Sequence, residues 1–195
     1  MQLWVPVALP QLWLFGLVAV PFLFLVARMM WRRGDERDTT RESRSRLGIV
    51  IQAMGLVAAA VGPIHPGRPW LSPVAIVSYI AIFILVGGAG AIFAASSAAL
   101  GKNWSFQART LSDHELIRRG PYARVRHPIY FGMLLFMFGM AIAYGHFWQL
   151  LLAVPLFVIG TNIRTTAEDR LLERHFGDEF QEYRRTTPSL IPRIN

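Results

Sequence analysis

The chain has 195 residues, with 20 Lys and Arg against 12 Asp and Glu, no cysteine, 53% hydrophobic residues and 16% charged. Soluble domains carry about 25% charged residues, so the composition points to a membrane protein, and the missing thiols exclude disulfides, thiolate metal ligands and a cysteine nucleophile. The net charge of +8 raises nucleic-acid binding, but that function needs a basic face on a folded domain, and here the arginines are divided among separate loops.

Four stretches hold no Asp, Glu, Lys or Arg: Met1–Ala27, Leu47–Gly67, Pro69–Gly101 and Pro128–Ile163. A bilayer core takes roughly 20 helical residues, so the first two stretches supply one span each. Met1–Ala27 has no charged n-region and no clear small-residue cleavage site, so a retained span is expected rather than a cleaved leader. The apolar part of the third, Leu71–Leu100, is about 45 Å long as a helix: too short to cross twice, it is expected to tilt or project. The fourth is about 54 Å as one helix, more than a single crossing needs, and must fold back. The turn falls at Tyr144-Gly145-His146, flanked by the interfacial residues Tyr144 and Trp148.

The predicted fold is therefore all-α and polytopic, with five transmembrane helices. Seven arginines lie between spans one and two, and Lys102 with five arginines between spans three and four. Basic loops stay on the cytoplasmic side, which places the N-terminus outside and the C-terminus, with a further amphipathic helix, in the cytoplasm. Residues 1–100 then form helices one to three, and residues 101–195 a second region with helices four and five. The stretches Gly87-Gly88-Ala89-Gly90 and Ala94–Ala99 are expected to pack span three closely against its neighbours.

Polar chemistry is concentrated in two segments on the cytoplasmic side. The segments are Lys102–His127 and Arg164–Asn195, and the first carries a run from His114 into span four with Gly-Pro-Tyr at 120–122 and Arg-His-Pro-Ile-Tyr at 126–130. Pro128 biases His127 away from helix and suits the first turn of span four, so His127 stands at a helix entrance. There its ring and the backbone N–H groups near Ile129 and Tyr130 can meet an anionic or polar group. In the second, which continues span five, Arg164 and Glu168 are four apart and share a helix face with Leu171, Leu172 and His175. A charge at the foot of a membrane helix is expensive and is kept there mainly with a partner or ligand. Gly177 is expected to break this helix, and Phe176, Phe180 and Tyr183 to pack beneath the bundle.

The run Gly-Pro-Tyr-x-x-x-Arg-His-Pro-x-Tyr-x-Gly, followed by Arg-x-x-x-Glu and then His-Phe-Gly-x-Glu-Phe-x-x-Tyr, resembles isoprenylcysteine carboxyl methyltransferases and their prokaryotic relatives over roughly residues 100–190. The resemblance implies an integral membrane enzyme that binds S-adenosylmethionine on the cytoplasmic side and admits a lipophilic substrate from the bilayer. It carries the cofactor positions to Gln107, His114, Glu115, Leu116, Ile117, Tyr122, His127, Pro128, Ile129, Tyr130 and Glu168, and the substrate-binding, catalytic arginine to Arg164. Leu116, Ile117 and Tyr130 could wall an adenine, His127 could meet the cofactor carboxylate, and Glu168 its ammonium.

Other readings are a phospholipid or amine N-methyltransferase, an NADPH-dependent sterol-type reductase, and a membrane scaffold without catalysis. No metal site is expected, because His65, His114, His127, His146 and His175 are scattered without the spacing of zinc ligands.

Overall fold

A computed structural model describes residues 5–32, 43–101 and 115–192. Within them the chain forms α1 (Leu9–Arg32), α2 (Ser43–Ala60), α3 (Pro73–Leu100), a 3-10 turn at Gly120–Ala123, α4 (Pro128–Tyr144), α5 (Leu150–Phe176) and α6 (Asp178–Thr186), with no β-strand among the described residues. Each charge-free stretch yields its helix. The fourth yields two, because Gly145 adopts a left-handed conformation (φ +74°) and its N–H caps the α4 carbonyls of Ala141 and Ile142.

The ends of the helices follow local chemistry. Ser72 caps α3, its hydroxyl accepting from Ala75 N at 3.3 Å, and Pro73 fills the first turn, where no N–H is needed. Helix α2 stops at Ala60, within the charge-free stretch, because Pro63 and Pro66 cannot continue it. Three helices, α1, α3 and α5, are long and apolar enough to cross a membrane, while α2 and α4 supply shorter apolar helices.

The outer surface is apolar. Trp13, Leu17 and Phe24 on α1, Phe83 and Ile84 on α3, and Leu151 and Leu152 on α5 are all exposed. Such a continuous greasy exterior is untenable in water and natural in lipid, so the chain is an integral membrane protein. Inside, α3 packs against α1 and α4, while α2 lies along α5. Phe15, Ile82, Val86, Met137 and Phe157 fill the shared core, and Phe22 stacks edge-on against Phe93 at 5.6 Å.

Of the stretch expected to pack closely, Ala89 does so, since a Cβ on Gly132 of α4 would lie 3.3 Å from its carbonyl oxygen, while its glycines do not. A Cβ on Gly88 would meet nothing within 4 Å, and one on Gly87 or Gly90 only side chains at 3.8–4.0 Å. The tight seam is between α2 and α5: a Cβ on Gly55 would lie 2.7 Å from Phe157 N, and one on Gly48 2.9 Å from Gly160 O. Lipid tails are as apolar as leucine, so membrane helices gain association energy where small residues bring backbones together.

Candidate active site

The buried polar centre forms where the foot of α5 meets the entrance of α4. Thr161, Arg164 and Thr165 on α5 are buried, as are Tyr122, His127 and Tyr130 from the segment leading into and through the first turn of α4. Burying a charge costs several kcal/mol unless it is paired and hydrogen-bonded, and each charge here has partners.

His127 is the hub. Its Nε2 lies 2.9 Å from Asp169 Oδ1, and its Nδ1 3.3 Å from Glu168 Oε2. Burial alone would push its pKa down, but hydrogen bonds to Asp169 and Glu168, with the two negative charges, outweigh that and lift it to about 9. His127 is therefore an imidazolium at neutral pH, with both ring N–H groups committed to carboxylates. Its ring stacks on Tyr130 at 5.9 Å, and the Tyr130 hydroxyl donates to Glu168 Oε1. Tyr122 lies in the same field, its phenol pushed up by burial and then by the Glu168 charge.

Arg164 approaches the centre from the other side. Its guanidinium carbon stands 4.8 Å over the Tyr130 ring, and Nη2 is 3.9 Å from Glu168 Oε1. The i,i+4 pair foreseen on α5 is thus the longer of Glu168's contacts, and Tyr130 and His127 hold that carboxylate more closely. Arg164 Nη1 donates to Gln52 Oε1 on α2 at 3.1 Å, and Gln52 Nε2 donates to Thr161 Oγ1 at 2.8 Å.

A strap from the C-terminal segment closes the edge. Arg126 N donates to Pro188 O and His127 N to Ser189 O, both at 2.9 Å, so the His127 backbone N–H is already engaged. The Arg126 side chain donates to Asp169 Oδ2 at 2.9 Å and to Thr187 O. Helix α6 is anchored by buried Phe180 and by Tyr183, whose hydroxyl donates to Tyr122 O at 2.6 Å.

Of the residues expected at the site, His127, Tyr130, Arg164 and Glu168 come into one cluster, Tyr122 sits beside it, and Pro128 and Ile129 form the entrance of α4. Leu116 and Ile117 are half-buried and Glu115 is exposed. Gln107 and His114 lie outside the described residues. Along the expected α5 face Leu171 is buried and Leu172 half-buried, while His175, one turn further on, is exposed and meets Phe176 edge-on at 4.6 Å. The face runs through Thr161, Arg164, Thr165, Glu168 and Leu171.

Sequence reasoning assigned no role to Arg126, Asp169 or Gln52. A signal existed for Gln52, the only strongly polar side chain between Leu47 and Ala60, because a polar group inside an apolar span needs a partner. Among the described residues no group of three or more His, Asp or Glu is placed to hold a metal ion.

Fold and site together define a helical membrane protein with a buried charged centre between the entrance of α4 and the C-terminal half of α5. The sequence profile described as phospholipid methyltransferase matches residues 76–179. That is more than half of the chain, and the chain belongs to this family of methyltransferases, whose reaction requires a methyl donor. Among individual relatives, protein-S-isoprenylcysteine O-methyltransferase of Schizosaccharomyces pombe is 38% identical over 82 residues, covering 42% of this chain and 35% of the yeast enzyme. The nickel-cobalt-cadmium resistance protein NccN of Alcaligenes xylosoxydans is 27% identical over 156 residues, covering 78% of this chain and 67% of that protein. The cobalt-zinc-cadmium resistance protein CzcN of Cupriavidus metallidurans is 27% identical over 160 residues, covering 78% and 66%. The chain thus spans about a third of the yeast enzyme's length and about two thirds of the two bacterial proteins'. The profile and the yeast relative bear out the resemblance carried by the two motifs.

Proposed function

We propose that the protein methylates a lipophilic carboxylate that reaches the site from the bilayer, with S-adenosylmethionine as donor. The observation that carries this reading is Arg164: a buried guanidinium at the foot of a membrane helix, between the Tyr130 ring and the Gln52 amide. A fixed, permanently charged fork in that position suits a carboxylate that arrives attached to an apolar tail.

The donor set also fits the cofactor. Glu168 sets a carboxylate beside the Tyr122 and Tyr130 rings, which suits a molecule carrying an ammonium. Glu168 would meet the ammonium and Leu116, Ile117, Tyr122 and Tyr130 the adenine, with Glu115, Pro128 and Ile129 completing the wall; His127, whose ring N–H groups are held by Asp169 and Glu168, would fix Glu168 in place instead of meeting the cofactor carboxylate. Gln107 and His114 are assigned to the same site on the motif alone. When bound, the cofactor supplies an electrophilic methyl group.

The chain's own residues then need to do little. A carboxylic acid has a pKa near 4, so the acceptor is ionised at pH 7 and no base is required. Arg164 holds it, the apolar helices exclude water, and orientation lowers the barrier. This favours a carboxylate over an amine, which would have to lose a proton first. His127 cannot take that proton at neutral pH, because its neighbours keep it protonated up to about 9. Family membership sets aside the reductase and scaffold readings.

The same proposal has α1 to α5 cross the bilayer, with the N-terminus outside and the site facing the cytoplasm, as the arginine distribution supports. Residues 101–195 supply the cofactor site and residues 1–100 a frame that contributes Gln52. The test is methyl transfer from radiolabelled cofactor to a panel of lipophilic carboxylates and amines in detergent. Arg164→Ala is expected to abolish transfer to carboxylates while calorimetry still detects cofactor binding. Loss of cofactor binding in that variant would refute the role given to Arg164.

A further inference from the structure

Gln52 lies in the middle of α2, on an element outside both sequence motifs, yet it is only 1% exposed and both ends of its amide are used. A guanidinium offers donors only. The oxygen must therefore face Arg164, at 3.1 Å, which leaves Nε2 to donate to Thr161 Oγ1 at 2.8 Å. The contact is possible because α2 and α5 touch through glycine: a Cβ on Gly48 would stand 2.7 Å from Arg164 Cγ. Gln52 and Thr161 thus form a bracket that holds the guanidinium at Nη1, while Glu168 lies nearest Nη2.

We propose that Gln52 is a positioning residue for Arg164 and sets the preference of the site for an anionic acceptor. The inference rests on the assignment of Arg164 to the acceptor carboxylate. A neutral oxygen orients the guanidinium without cancelling its charge, so the positive potential remains available to the substrate. A carboxylate in the same place would make the same hydrogen bond and neutralise that potential. Glu168 does not do so, because its nearest oxygen is 3.9 Å from Nη2 and its closer contacts are Tyr130 and His127.

The test uses the full chain in detergent micelles, with N-acetyl-S-farnesyl-cysteine as carboxylate probe. Gln52→Glu is expected to raise KM for the carboxylate probe about tenfold or more, with kcat changed less and cofactor affinity within about twofold of wild type. Gln52→Met, which removes the bracket without adding charge, is expected to raise the same KM by a smaller factor. A merely structural Gln52 would instead lower kcat, cofactor affinity and melting temperature together. Thr161→Val supplies an arm that keeps shape while removing the hydroxyl that anchors the amide, and it should raise KM in the manner of Gln52→Met. Carboxylate transfer that depends on Arg164 but is unchanged by Gln52→Glu, or by Thr161→Val if the first variant does not fold, overturns this inference alone. A wild-type protein that neither binds nor methylates the carboxylate probe overturns the carboxylate reading, and this one with it.

Discussion

The His127 imidazole and the Asp169 carboxylate meet at 2.9 Å between Nε2 and Oδ1, joining the entrance of α4 to the foot of α5 across 42 residues of sequence. Asp169 is held in turn by Arg126 at 2.9 Å, and Arg126 reaches the C-terminal strap at Thr187. One carboxylate thereby links the motif before α4, helix α5 and the end of the chain.

The charge on His127 makes stability depend on pH. Its pKa rises from about 6.5 in an unfolded chain to about 9 in the fold. The folded state holds the extra proton between those values, so the stabilisation is fully present below about 6.5 and is lost as pH rises through about 9. Thermal unfolding in detergent is expected to show a melting temperature that declines over that window in wild type. His127→Gln, which keeps a polar side chain without the titration, should give a flatter profile. An equal slope in both proteins would place the titration elsewhere.

Asp169→Asn removes the charge that Arg126 and His127 share. Breaking a buried ion pair by deleting one partner costs about 3 kcal/mol or more, and the two side chains here are 9% and 13% exposed. The expected result is a lower melting temperature together with a His127 pKa shifted below its wild-type value, readable by NMR titration of a histidine-labelled sample. A stable variant with an unmoved His127 titration would mean that Glu168 alone holds the proton.

The α2–α5 seam predicts a contrast between two glycines. In Gly48→Ala the new Cβ would fall 2.7 Å from Arg164 Cγ and 2.9 Å from Gly160 O. Overpacking of this kind costs about 1–3 kcal/mol and should displace the guanidinium, so carboxylate transfer is expected to fall more than cofactor binding. Gly88→Ala meets nothing within 4 Å and should stay within about 1 kcal/mol of wild type, on the stabilising side, because alanine is the better helix former. Thermal melting and transfer assays on the pair decide this. Similar behaviour of the two variants would count against the seam.

Several elements were legible in the sequence because they depend on local chemistry. The break at Gly145 follows from one residue that tolerates positive φ between two apolar runs, and the end of α5 before Gly177 has the same origin. His127 was legible at a helix entrance because Pro128 both excludes it from the helix and starts the next one. Arg164 and Glu168 stood out because charge is costly at the foot of an apolar span.

The rotation and crossing of the helices were not legible in the same way. Helices with apolar residues all round carry no stripe that says which side faces a neighbour, which is why Gly87, Gly88 and Gly90 were expected at close contacts that Gly48, Gly55 and Gly160 make between α2 and α5.

From the sequence alone came the apolar helices, their turns, the motifs and the residue types gathered at one end of the bundle, since each depends on hydropathy or on the conformational limits of single residues. Only the tertiary structure decided that Gln52 reaches Arg164 across 112 residues and that Asp169 joins His127 to Arg126. Those contacts depend on how closely two backbones approach and at what rotation, which packing between helices settles and composition along one helix does not.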